Sequence, residues 1–129
     1  MSKIYDILLN NSRIGTTELE YADAPMGVVF GRISFLDPVV VSGYRFFKDY
    51  CSTKGINFEE LPEKKIILTM DIPDLKVQDA NGNYIQGLAT SISGMDSDYF
   101  EITIIGISYP FYQEEFPHHV KAYQDRFPS

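Results

Sequence analysis

A single helical stripe runs through a chain otherwise made of short β-rich segments, and that imbalance restricts the fold more than any other feature. Val40, Tyr44, Phe47 and Cys51 recur at i, i+4, i+7 and i+11, which aligns them on one face of an α-helix. Arg45, Lys48, Asp49 and Ser52 fall elsewhere on its surface. Asp37 followed by Pro38 reads as an N-cap and first helical residue. An aspartate oxygen can accept an orphan N–H there, and proline has no N–H to leave unpaired. Lys54 suits the negative end of the helix dipole, and Gly55 can take the left-handed conformation that ends a helix. The expected helix covers residues 38–53.

The rest reads as strands. Residues 4–9 and 13–20 flank the turn residues Asn10-Asn11-Ser12 and predict an N-terminal hairpin. After a loop punctuated by Pro25 and Gly27, residues 28–36 form a third strand, in which Gly31 marks a bulge or a close backbone approach. Residues 57–65 read as a polar connector. Further strands are expected over 65–70, 75–78, 84–93 and 99–107, with Asn81-Gly82 as a hairpin turn. In the last of them Phe100, Ile102 and Ile104 alternate with Glu101 and Thr103, the period of a half-buried strand. Pro117 can open a short C-terminal helix carrying Val120, Tyr123 and Phe127. The expected fold is α+β, one domain over residues 1–129. It has an antiparallel sheet of about six or seven strands, with one main helix packed on one face and a short C-terminal helix.

The 129 residues are 44% hydrophobic and include nine Phe and nine Tyr, enough for an ordinary core rather than a disordered chain. Cys51 is the one cysteine, so no intrachain disulfide forms, which fits a reducing compartment. The beginning of the chain lacks a signal-peptide pattern and no apolar run approaches about 18 residues. The expectation is a cytoplasmic protein with no membrane contact. Charge is unevenly distributed. Residues 71–120 carry eight acids and one base, 1 − 8 = −7, which equals the net charge of the whole chain. A segment of that sign repels nucleic-acid phosphates and attracts basic partners, so no nucleic acid is expected as a partner.

Catalytic and metal-ligand signatures are missing. His118 and His119 are neighbours, and adjacent helical residues point about 100° apart, a poor geometry for one metal. Asp79-Ala80-Asn81-Gly82-Asn83 imitates the start of a calcium loop, but Tyr84 stands where glycine is required and Thr90 where a bidentate glutamate is required. A hairpin turn accounts for the same residues. Cys51 sits on the apolar stripe, the setting of an inert buried thiol. The glycines at 27 and 31 flank and interrupt a strand rather than forming a phosphate loop. No metal and no cofactor are therefore expected. What remains is surface. Acids interleaved with tyrosines suit a face that binds a basic protein, the aromatics supplying area and the carboxylates charge complementarity. The candidate partner-binding residues are Asp96, Asp98, Glu101, Tyr112, Glu114 and Glu115.

In size, acidity and lack of catalytic motifs the chain resembles the immunity proteins of bacterial toxin systems, which neutralise a cationic nuclease by covering it. The resemblance rests on those general properties and carries over no site residue. It implies a non-enzymatic inhibitor that occludes a basic partner, such as a nuclease toxin. Two other readings are open. One is a small-ligand-binding or enzymatic α+β domain with a site assembled from distant residues. The other is a subunit of a larger assembly, docked through a strand edge or the C-terminal aromatic segment.

Overall fold

Strand β1 (Tyr5–Leu9) and strand β2 (Ser12–Thr17) form the expected hairpin, antiparallel from Tyr5↔Thr17 to Leu9↔Ser12. Asn10 and Asn11 turn it with φ of 52° and 68°, a conformation that asparagine tolerates better than most residues. The computed structural model to which these elements belong describes residues 3–36 and 41–128. Beyond the hairpin come β3 (Tyr21–Asp23), a 3-10 turn (Ala24–Met26), β4 (Val28–Arg32), β5 (Ser34–Phe35) and helix α1 (Gly43–Lys54). They are followed by β6 (Phe58–Leu61), β7 (Ile66–Thr69), β8 (Leu75–Gln78), β9 (Ala89–Met95) and β10 (Phe100–Ile105). The chain closes with α2 (Phe111–Glu115) and α3 (Pro117–Arg126).

The fold is α+β with antiparallel strands throughout, but the strands divide over two sheets. The smaller has the order β5-β2-β1-β8 and the larger β3-β4-β10-β9-β7-β6. The division starts inside what reads as one strand over 28–36. β4 pairs with β10, the Ile33 N–H donates to the Phe100 carbonyl, and β5 then pairs with β2. Tyr84 makes only an isolated bridge to Gln78, and the chain joins the larger sheet at Ala89. The expected returning strand over 84–93 is thus shared between the two sheets.

Helix α1 lies on β7 and β9. The stripe holds as expected: Tyr44, Phe47 and Cys51 are buried. The start of the helix differs. Asp37, Pro38 and Val40 lie outside the described residues, and the N-cap is Ser42, whose Oγ accepts from the Arg45 N–H at 3.2 Å. Asp96 completes that cap, accepting from Ser42 Oγ at 2.5 Å and from the Tyr44 N–H at 2.9 Å. A Cβ on Gly43 would stand 2.5 Å from a ring carbon of Phe100, so the glycine lets the first turn of the helix meet the sheet. Gly55 ends the helix at φ 71°. One hydrophobic cluster joins both sheets to α1 and α2, with Ile7, Phe47, Ile67, Ile102 and Tyr112 among its buried members. Among the described residues no helix is long and apolar enough to cross a membrane.

The polar connector expected over 57–65 is an edge strand, β6, and a 3-10 turn over Pro62–Lys64. Tertiary hydrogen bonding recruits it, since β6 pairs with β7 from Phe58↔Thr69 to Leu61↔Ile66. The C-terminal helix is present, preceded by a further helical turn, α2, that periodicity did not indicate.

Candidate functional site

Where the N-terminus of α3 meets the end of β2, the surface opens into a cleft of about 470 Å³. Lys3, Tyr5, Glu18, Glu20, Glu114, Glu115, Pro117, His118 and His119 line it. Tyr5 of this lining packs on an aromatic layer. Phe116, buried between α2 and α3, packs against Tyr5 and Tyr112 with ring centroids 6.1 and 5.3 Å apart. Tyr112 ties α2 down by donating from its hydroxyl to the Val28 carbonyl at 2.9 Å. Pro117 then starts α3 with its φ already set for a helix, which brings His118 and His119 to the rim.

The opposite wall depends on a left-handed residue. Leu19 has φ 48°, and its N–H donates to Thr17 Oγ1 at 3.2 Å. Its side chain enters the core, leaving Glu18 and Glu20 exposed on either side of it. Gly31 on β4 makes room for this turn, because a Cβ there would stand 2.5 Å from Thr17 Oγ1, 2.8 Å from the Leu19 nitrogen and against the Glu20 carboxylate. The close backbone approach expected at Gly31 is therefore present, and it serves the cleft. His119 staples the two walls together, with Nε2 2.8 Å from the Leu19 carbonyl. A carbonyl only accepts, so Nε2 carries the proton.

Glu115 is the most enclosed carboxylate, with 12% of its side chain accessible, and it accepts from Lys3 Nζ at 2.9 Å and Tyr5 Oη at 2.7 Å. Burial, and then the Glu115 hydrogen bond, push the Tyr5 phenol far above its ordinary range. The His118 imidazole is held below its ordinary value, first by desolvation and then by His119 and Lys3, against the opposing effect of Glu115. By formal count the one lysine and four glutamates of the lining give 1 − 4 = −3. Lys3 pairs with Glu115, and among the described residues Glu18, Glu20 and Glu114 make no ion pair, the Glu20 carboxylate accepting from the Arg32 N–H. Among the described residues no Ser, Thr or Cys lines the cleft, and Cys51 is buried elsewhere, its thiol pushed up by burial. Among the described residues no group of three or more His, Cys, Asp or Glu is arranged to hold a metal ion. The lining offers carboxylate oxygens to a cation and, in His118, an imidazole beside them.

Of the residues singled out from the sequence, the structure brings together Glu114 and Glu115. Tyr112 is 0% exposed. It belongs to the core rather than to a binding face, because its ring lies among Phe116 and Tyr109 and its hydroxyl is used on Val28. Asp96 caps α1. Asp98 and Glu101 border a separate shallow groove with Leu68, Met95 and Tyr99. The acidity of residues 71–120 also has a structural explanation. Asp71 accepts from the Thr90 N–H, Asp74 from Tyr50 Oη, and Asp79 from the N–H groups of Asn81 and Asn83. With Asp96 and Glu115, five of the eight acids serve as internal acceptors. Glu18 and Glu20 come from a stretch almost balanced in charge, and on that ground the sequence ranks them below the acids of residues 71–120 as partner contacts. An apolar residue between two acids was the available signal, since burial of Leu19 leaves its charged neighbours at the surface. Compared with known protein families, with curated proteins and with solved structures, the chain matches none.

Proposed function

We propose that this chain is a non-enzymatic acidic binding protein, an immunity or inhibitor protein that occludes a basic protein partner such as a nuclease toxin. The observation that carries this reading is the cleft, where, among the described residues, Glu18, Glu20 and Glu114 make no ion pair beside the matched Lys3–Glu115 pair. A lysine or arginine of the partner enters between them and exchanges phosphate oxygens for carboxylate oxygens. The arrangement favours fast, salt-sensitive association more than raw affinity. The cleft volume also lies within the range of small-molecule sites, which favours, as a second reading, a small organic cation as the ligand.

The test starts with recovery of the partner from the native host and its identification by mass spectrometry. Association kinetics are then measured at rising salt for the parent and for Glu18→Lys, Glu20→Lys and Glu114→Lys, with the exposed Glu63→Lys as control. We expect the on-rate to fall steeply with salt and each cleft reversal to slow association about tenfold, with Glu63→Lys near the parent. An acidic partner, or association indifferent to salt and to the cleft reversals, refutes the inhibitor reading.

A further inference from the structure

The outer face of the larger sheet is open. Antiparallel sheets with one solvated face normally carry polar residues there, yet Leu61, Leu68 and Ile105 stand 48%, 44% and 43% exposed on this one, beside the exposed Tyr21 and Tyr99. Among the described residues, α1 covers the other side of β7 and β9, while α3 sits at the β3 end. The pairing register gives this face a pattern. One row crosses β4, β10, β9, β7 and β6 as Arg32, Glu101, Ser93, Leu68 and Glu59. Along the sheet centre, β10 presents Glu101, Thr103 and Ile105 directly opposite the smaller Ser93, Ser91 and Ala89 of β9.

We infer that this face seats a second copy of the chain, the two sheets packing about a twofold axis that runs between β10 and β9, parallel to both. The rotation exchanges β10 with β9, β4 with β7 and β3 with β6. Each larger β10 side chain then falls over a smaller β9 side chain of the other copy, so the bulky and small rows interlock. Arg32 comes to lie over Leu68 of the second copy, one strand spacing of about 4.8 Å from that copy's Glu59. The Arg32 guanidinium lies 4.0 Å over the Tyr99 ring and makes no ion pair among the described residues, with Glu101 its cross-strand neighbour on this face. The symmetry supplies an ion pair, twice. Six strands at about 4.8 Å spacing and roughly 17 Å in length offer about 500 Å² per copy. Both copies together bury on the order of 1,000 Å², the lower limit for a specific interface. The dimer is therefore concentration-dependent. The inference does not rest on the cleft, none of whose lining residues lies in this row, and the two surfaces touch only where the Arg32 N–H donates to the Glu20 carboxylate.

Sedimentation equilibrium over a concentration series tests it, on the parent, Arg32→Glu, Glu59→Arg, the double exchange Arg32→Glu/Glu59→Arg, and Leu68→Asp. Arg32, Glu59 and Leu68 are exposed, and circular dichroism with urea midpoints confirms folding of each variant. We expect the 14.7 kDa parent to double its mass as concentration rises. Either single reversal should weaken the dimer about tenfold and the double exchange should restore it, while Leu68→Asp leaves a monomer. Glu59→Arg is decisive. It reduces the magnitude of the net charge, from −7 to −7 + 2 = −5, so general repulsion alone would make its dimer tighter. A parent monomeric at every concentration overturns the inference. So does a dimer that Glu59→Arg leaves unchanged or strengthens, or one that survives Leu68→Asp.

Discussion

Asp96 marks the point where a residue chosen from sequence as a partner contact turns out to hold the fold, and its removal measures that role. In Asp96→Ala two hydrogen bonds to a carboxylate disappear: from Ser42 Oγ at 2.5 Å and from the Tyr44 N–H at 2.9 Å. A hydrogen bond to a charged group contributes roughly 1.5–3 kcal/mol and a helix cap roughly 0.5–2. These overlap, because Ser42 stays bonded to Arg45 N–H and Asp96 is only half-buried. The expected loss is about 2 kcal/mol. In urea that shifts the midpoint down by about 1 M at unchanged m-value. By heat it lowers Tm by about 6–10 °C in a domain of this size. Asp96→Asn keeps an acceptor oxygen for the Tyr44 N–H and should cost less than half as much. Ser42→Ala should cost about 1 kcal/mol. Combined with Asp96→Ala, it should fall short of additivity, since the two share one bond. Asp96→Ala within about 0.5 kcal/mol of the parent, or strict additivity with Ser42→Ala, would refute the assignment of this carboxylate to the helix cap.

Three other expectations follow from the same structure. Gly31→Ala should destabilise by roughly 1–3 kcal/mol and shift the amide resonances of residues 17–20, since the new methyl meets Thr17, Leu19 and Glu20; a neutral variant with unmoved resonances would show that the approach is not tight. The phenols of Tyr5 and Tyr112 are raised chiefly by burial. Their folded values exceed the unfolded value near 10, so the protein loses stability as pH rises above about 10. Absorbance at 295 nm should show two of the nine tyrosines ionising only with global unfolding, and their titration in folded protein would contradict this. Cys51 is 0% exposed with a thiol raised by burial, so a thiol reagent should label native protein far more slowly than unfolded protein, and Cys51→Ser should cost about 1–3 kcal/mol; rapid labelling of the native form would be the contrary result.

Local rules made several parts of this protein legible from sequence. The spacing of Tyr44, Phe47 and Cys51 specified the buried face of α1, and Gly55 its end, because helix periodicity and left-handed φ are properties of a few adjacent residues. Asn10-Asn11 specified the first hairpin, and the alternation from Phe100 to Ile104 the two faces of β10. Tertiary structure decided the rest. Ile33, hydrogen-bonded to Phe100, parts β4 from β5 and so divides the strands between two sheets. β6 exists because β7 offers it a ladder, although its own residues read as a polar connector. Tyr112 is an aromatic among acids in sequence, and its burial depends on Val28 and Phe116. The cleft shows the reason most directly. Glu18 and Glu20 reach Glu114 and Glu115 through a staple from His119 to Leu19, a hundred positions apart. Periodicity and capping act over about one or two turns of chain, whereas charge acts through space, so a site assembled from both ends of the chain exists only once the sheets have brought those ends together.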